Sequence, residues 1–443
     1  MNGVPERGAL RWRGALRHRN FRLFWFGQLI SLVGTWMQSL AQAWLVLLLT
    51  HDPIWLGFVA AIQFLPVLVL GLFGGVIADV LPKRRTIIGT QVASMLLAFV
   101  LAGLTFANVV QVWHILVLAA LLGLVNAVDM PTRQAFVVEM VGRADVTNAV
   151  GLNSAIFNAA RIVGPAIGGL LIGALGVTAC FFLNGLSFVA VIVGLLMMRA
   201  ADLLPAARLA RPTSVRDVAD TLAEGLRYVR ATPVVLLAVV LVGLVSTFAM
   251  NFNVVAPALA QTVLGVGATG LGFLMASMGL GSITAALLVA SLDRPRPTII
   301  VIGAFGLGAL EIVLGGVTSY LVALVAMFGA GFAAIAMMVS ANTSIQLAVP
   351  DRLRGRVLSV YTTVFAGSTP IGAPIIGWLA SAFSTQVALV VGGGIALVAA
   401  IVAGAWVARG GLSSAGSLGD AGRRHQGAIG RGEGAPQAAS LQR

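Results

Sequence analysis

Residues 151–169, G-L-N-S-A-I-F-N-A-A-R-I-V-G-P-A-I-G-G, are apolar enough to cross a bilayer yet carry Arg161, four residues before a proline. At about 100° per residue, Asn153, Phe157, Arg161, Gly164 and Gly168 share one face of a helix. Glycines on that face let a neighbouring helix come close. A proline inside a membrane helix is tolerated where neighbours satisfy the freed backbone. A charge at membrane depth turns toward protein or a water-filled cavity. The stretch therefore belongs inside a bundle of several helices.

Part of it recurs. Gly164, Ile167 and Gly169 return as Gly372, Ile375 and Gly377, each 208 residues further on, and Phe157/Phe365 and Val141/Val349 keep the same offset. A duplicated bundle explains this better than coincidence in an apolar chain.

Only 10% of the 443 residues are charged and 59% are hydrophobic, too little charge to cover a water-soluble domain of this size. The net charge of +13 is a topology signal and does not call for nucleic acid. All but one of the 28 basic residues fall in seven segments that lie on the same side of the bilayer if there are twelve spans, and Arg161 is the exception. The positive-inside rule then places both termini in the cytoplasm of a multi-pass inner or plasma membrane protein. Cys180 stands alone, so no intrachain disulfide forms. The first apolar run, from Arg22 to Leu49, is too long for a cleavable signal.

Apolar runs place spans at 23–49, 54–79, 86–107, 113–130, 148–173, 178–198, 234–262, 269–291, 298–318, 320–342, 357–383 and 386–408. The predicted fold is an all-α membrane protein with twelve transmembrane helices in two pseudo-repeated six-helix bundles. Its expected divisions are a cytoplasmic basic arm (1–22), an N-terminal bundle (23–198), a cytoplasmic central loop (199–233), a C-terminal bundle (234–408) and a disordered cytoplasmic tail (409–443). Within the central loop Val215, Val218, Leu222, Leu226 and Val229 predict an amphipathic helix lying on the membrane face.

The first span carries a polar stripe of Gln28, Ser31, Thr35, Gln38, Ser39 and Gln42. Such a stripe either bonds neighbouring helices together or lines a cavity. Six polar residues over four turns exceed what helix association needs, which favours the cavity. The turn after span two, Gly75 to Arg85, sets Asp79 ahead of Lys83, Arg84 and Arg85, which suits a short charge-bonded cytoplasmic turn.

Twelve spans, a long central loop and these two stretches resemble the major facilitator superfamily. Gly75, Asp79, Arg84 and Arg85 match that superfamily's motif A, with Val80 where a cation is usual and Pro82 where glycine is usual. Gly151, Gly164, Pro165, Gly168 and Gly169 match motif C of its drug:proton antiporter branch, with Ala160 replacing one glycine. The strings at 129–136, 148–154, 224–230 and 353–357 resemble the enterobactin-exporter-type subgroup. The resemblance implies secondary active export of a small amphiphilic organic molecule, a drug, siderophore or related metabolite, by alternating access. It also implies that spans 1, 4, 5, 7, 10 and 11 line a central cavity. Polar residues there are Ser31, Thr35, Gln38, Gln42, Asn126, Arg161, Asn251, Asn342 and Thr362. A metabolite importer of the same fold, or a non-transporting receptor or scaffold, are the alternatives.

Protons are the expected coupling partner, yet residues 23–49 contain no acid. Asp129, four residues before Arg133, and Glu311 in span nine are the candidate carriers. Arg161 either binds an anionic substrate or pairs with helix carbonyls. No residue set suggests a catalytic centre, a resident metal or a cofactor, so no enzyme is expected.

Overall fold

The computed structural model describes residues 14–204, 215–292 and 296–412, with side chains for all of these except 71–80 and 215–221. Among the described residues the regular elements are helices. They are α1 (Arg19–Thr50), α2 (Ile54–Val80), α3 (Lys83–Phe106), α4 (Val112–Leu175), α5 (Val177–Leu196), α6 (Val215–Ala231), α7 (Pro233–Phe248), α8 (Phe252–Ala258), α9 (Gly267–Ala290), α10 (Thr298–Gly316), α11 (Tyr320–Ala348), α12 (Asp351–Ala382) and α13 (Thr385–Ala408).

Among the described residues ten helical stretches are long and apolar enough to cross a bilayer. One of them, α4, has 64 residues. At 1.5 Å per residue it would run for roughly 96 Å, about three times the hydrocarbon thickness. It crosses twice, and the chain reverses at Gly142 (φ 72°, ψ 175°), a backbone geometry open to glycine. Counting α4 twice and adding α2, whose described apolar part is Ile54–Leu70, gives twelve spans. The seventh is built from α7 and α8, interrupted at Met250–Asn251 and continued through a π turn at Leu259–Val263.

Several helices overshoot the apolar runs. Where the sequence suggested a loop near residue 138, α4 stays helical up to Gly142, with Phe136, Val137, Met140 and Val141 buried. Likewise α11 continues to Ala348 and α12 starts at Asp351. Hydropathy marks where hydrocarbon ends, whereas these helices go on as amphipathic extensions packed on protein. The expected amphipathic helix exists as α6, and it packs on protein. Tyr228 Oη donates to the Ala348 carbonyl at 3.0 Å, and Glu224 pairs with Arg356. A Cβ on Gly225 would lie 2.6 Å from the Arg356 carbonyl oxygen, and Val229 is fully enclosed. The described part of α6 thus docks on the ends of α11 and α12 through Gly225, Tyr228 and Val229, while Leu226 stays exposed.

The 208-residue repeat is realised in space. Gly164 lies against Val33 and Trp36 of α1, and Gly372 lies against Thr247 and Asn251, at the end of α7 and the cap of α8. Gly169 meets Gly272 of α9, while Gly377 meets Pro53, Ile54 and Gly57 at the head of α2. Each half therefore packs on its own first helix and on the other half's second. Burial agrees: Val141 and Val349 are each 3% exposed, and Ile167 and Ile375 are 39% and 38% exposed.

Gly151, expected to act as a packing glycine, is exposed, and a Cβ there would meet no atom within 4 Å. A Cβ on Gly164 would lie 2.6 Å from Trp36 Cβ and 2.8 Å from the Val33 carbonyl oxygen. Gly151→Ala should therefore be neutral or stabilise by up to about 1 kcal/mol through helix propensity. Gly164→Ala should destabilise by about 1–3 kcal/mol through overpacking. Thermal unfolding of the two variants in detergent checks this contrast.

The described part of the N-terminal arm is tied down. The Ala15 amide donates to Asn148 Oδ1 at 2.9 Å, and Asn20 exchanges hydrogen bonds with the backbone of Arg199. Arg17 and His18 each approach Asp145 Oδ2 at 2.8 Å. The hydrogen bonds from His18, and then from Arg17, hold the Asp145 carboxyl below the usual carboxylate range. A depressed carboxylate stabilises the fold above its unfolded pKa of about 3.9, and that contribution disappears as pH falls through the lower folded value. Asp145→Asn should lower stability at pH 7 by less than about 1 kcal/mol, because Arg17 is largely in solvent. The difference should begin to shrink as pH falls below about 4 and disappear only once pH has passed below the depressed folded value, read from melting curves at pH 7 and at successively lower pH.

Candidate functional site

The helix connections at 51–53, 107–111, 176, 264–266, 317–319 and 383–384 lie at one end of the bundle, and the described basic residues outside the apolar runs lie at the other. Close contacts between the halves sit toward the first end. A Cβ on Gly169 would lie 2.7 Å from the Ala268 carbonyl oxygen, and Thr269 Oγ1 donates to the Gly169 carbonyl at 3.0 Å. Gly57 is pressed against the Ala373 carbonyl. Deeper in, the packing between α2 and α12 loosens, and a Cβ on Gly367 would stand 3.7 Å from Leu68, whereas α4 and α9 stay close, a Cβ on Gly279 lying 2.6 Å from Ile162 Cγ1.

Beneath this seal a small cleft, with about 20 Å³ of free space in this state, opens where α1, α4, α8 and α9 meet, lined by Trp36, Ser39, Pro165, Phe252, Asn253 and Met275. Trp36 reaches it because Gly164 and Gly168 let α1 lie close to the second crossing of α4. The edge of Trp36 meets Phe157 at 5.6 Å between ring centroids, and the Arg161 guanidinium lies 5.9 Å from its ring centroid. Arg161 is the charged group of this region. Its backbone oxygen faces Gly279 of α9 across the seam between the halves.

The polar stripe of α1 divides between association and cleft. Gln38 is buried and accepts from Asn184 Nδ2 of α5 at 2.7 Å, and Ser31 is buried. Gln28 accepts from Arg133. Thr35 and Ser39 are exposed, and each hydroxyl bonds the carbonyl four residues back, so they are self-satisfied. Gln42 faces Gln63 of α2 at 3.5 Å. In the other half Asn251 is buried and donates to the Thr247 carbonyl at 2.7 Å, and Asn342 pairs with Gln346 one turn on. Thr362 is exposed and bonds the Leu358 carbonyl, whereas Asn126 on α4 is partly buried.

The two candidate acids lie apart from this cleft. Asp129 is 6% exposed and accepts from Arg133, Thr90 and Gln91, so it knits α3 to the first crossing of α4, and Gln28 extends the network to α1. Glu311 is enclosed between α10 and Gly392–Gly393 of α13, and its Oε2 has no hydrogen-bond partner.

At the turn after α2, the side chains of Gly75 and Asp79 lie outside the described residues. Arg84 caps the end of α5, donating to the Leu195 and Leu196 carbonyls at 2.7 and 2.9 Å, as suits a cation at a helix C-terminus. Arg85 is exposed, and Lys83 pairs with Glu139 at 2.7 Å. Trp36 escaped the sequence reading although a signal existed. Tryptophans of membrane helices gather at the interfaces, and this one lies near the middle of a span. Asn184 and Gln91, amides within apolar helices, were missed for want of a visible partner.

Residues 12–414 match the family model described as transmembrane secretion effector. The multidrug efflux pump Tap of Mycolicibacterium fortuitum is 29% identical over 81% of this chain and 89% of its own. The enterobactin exporter EntS of Shigella boydii is 26% identical over 86% and 90%. The staphyloferrin A transporter of Staphylococcus aureus is 29% identical over a shorter stretch, 39% of this chain and 44% of that one. Among solved structures, a nucleoside transporter, NupG, superposes with a TM-score of 0.69 at 12% identity, covering 87% of this chain and 98% of that one. A bacterial homologue of the lysosomal transporter Spinster, in an inward-facing state, gives 0.65 at 12% identity over 92% and 96%.

Proposed function

The chain belongs to the transmembrane secretion effector family of the major facilitator superfamily, a transporter of small molecules and not an enzyme; from that premise we propose that it exports an amphiphilic organic molecule from the cytoplasm by proton-coupled alternating access. The observation that carries this reading is the cleft at Trp36 beneath a glycine-built seal between the halves. By the positive-inside rule the basic end faces the cytoplasm, so the seal lies outside and the cleft is loaded from within. The two bundles then rock about it and open the seal. The cleft's wall is mostly aromatic and aliphatic, with Ser39 and Asn253 as its polar groups, which suits an amphiphile better than a sugar. Named efflux relatives support the outward direction.

We assign the proton to Asp129. Its neutralisation would release Arg133 and loosen the junction of α1, α3 and α4. Glu311, enclosed away from the cleft, takes the structural role.

Inside-out membrane vesicles energised to an acid interior test the whole reading against a panel of siderophores, macrolides and cationic dyes. Uptake that collapses with a proton uncoupler is the expected result. Loss of substrate from such vesicles under the same gradient would reverse the direction and make the protein an importer. A panel with no response would favour the receptor alternative.

A further inference from the structure

The feature that transport alone does not explain is the state of Arg161. It stands roughly midway along the second crossing of α4, one turn from Pro165, which lines the cleft. Among the described residues its guanidinium has no ion pair and no hydrogen bond. Its one recorded partner is the Trp36 ring. The carbonyl-pairing role that the sequence left open is therefore not taken up. The acids within the apolar core are committed elsewhere, Asp129 to Arg133 and Glu311 to the α10–α13 interface. The Arg161 side chain is partly buried.

A guanidinium offers five N–H donors in a planar fork that matches a carboxylate or phosphate. A cation–π contact offsets only part of the penalty for a charge at this depth. Thr35, Ser39 and Asn253 nearby carry no charge that could balance it. Trp36, which the guanidinium faces, packs on Phe157 and shares the cleft wall with Phe252 and Met275.

We propose that Arg161, stacked on the Trp36 that lines this cleft, is an anion-binding residue at its inner edge, and that the cargo is an amphiphilic oxyanion, a carboxylate or similar acid on an aromatic or apolar body. The oxyanion takes the guanidinium fork, and the body lies against Trp36 and Phe252. The cargo role rests on the transport reading above; the binding site does not.

Titration calorimetry on the full chain in lipid nanodiscs, with three probes of one ring size, tests the assignment: 2-naphthoate, 2-naphthamide and 2-naphthylmethylammonium. Wild type should bind the carboxylate at least about tenfold tighter than the amide, with the ammonium weakest. Arg161→Gln should bring carboxylate affinity down to that of the amide, Arg161→Lys should keep part of the preference, and Trp36→Leu should weaken all three probes together. Equal wild-type affinities for carboxylate and amide, or unchanged carboxylate binding in Arg161→Gln, would overturn the proposal. The wild-type ratio decides the matter even where the glutamine variant does not fold. Proteoliposomes separate the two readings. Energised movement of a cationic dye that is the same in wild type and Arg161→Gln keeps transport and removes the anion site. Arg161-dependent naphthoate binding with no movement of naphthoate or dye keeps the site and removes transport.

Discussion

Leucine at Gly169 is expected to abolish transport while the protein still inserts and remains monodisperse. At this position α4 and α9 touch backbone to backbone. A Cβ would lie 2.7 Å from the Ala268 carbonyl oxygen and 2.9 Å from Gly272 Cα, and neither can swing aside. Overpacking of this kind costs about 1–3 kcal/mol. The contact joins the two halves, so most of that penalty falls on the sealed arrangement and shifts its population by roughly 5- to 150-fold. Gly168→Leu is the control. Its Cβ would meet the Met37 side chain at 3.2 Å and the Met37 backbone at 3.3 Å or more, looser than at Gly169 and within the same half, so its loss should be smaller. Initial transport rates in proteoliposomes, normalised to inserted protein, give the comparison. If Gly169→Leu transports at the wild-type rate, the α4–α9 seal is no working part of the cycle.

The fold was legible because a bilayer imposes a coarse rule. A helix that crosses must be apolar for about twenty residues, and the loops on one side collect the arginines. That rule locates crossings but not helix ends. It missed the run of α4 up to Gly142 and the early start of α12, whose faces are buried by protein and not by lipid. The 3-4-4-3 spacing of α6 announced an amphipathic helix, but spacing alone could not name the ends of α11 and α12 as the surface its described part packs on.

The site was legible in its charges and opaque in its pairings. Arg161 announced itself as a cation in an apolar run, and the four-residue spacing of Asp129 and Arg133 anticipated their ion pair. Spacing within one helix says nothing about partners brought by others. Trp36 from α1, Asn184 from α5, and Thr90 and Gln91 from α3 lie far away in the chain. Gly151 shows the converse. It fits a glycine motif, yet no helix comes near it, so the pattern overstated its packing role.

Asp129→Asn is expected to cause the largest loss of any single polar substitution in the N-terminal half. Asp129 neutralises Arg133, which also donates to Gln28 of α1. Removing the carboxylate leaves the guanidinium at a three-helix junction with amide partners alone. Breaking a buried pair costs about 3–5 kcal/mol, and the lower end applies here because the Arg133 side chain keeps 17% of its exposure. The double variant Asp129→Asn/Arg133→Gln removes the orphaned charge as well, so it should recover most of the lost stability, and the cycle isolates the coupling between the two. Melting temperatures in detergent and proton-driven transport in proteoliposomes then separate structure from coupling. If Asp129 carries the proton, the double variant is stable and still fails to respond to a pH gradient. A stable double variant with gradient-driven transport would leave Asp129 as the partner of Arg133 and nothing more.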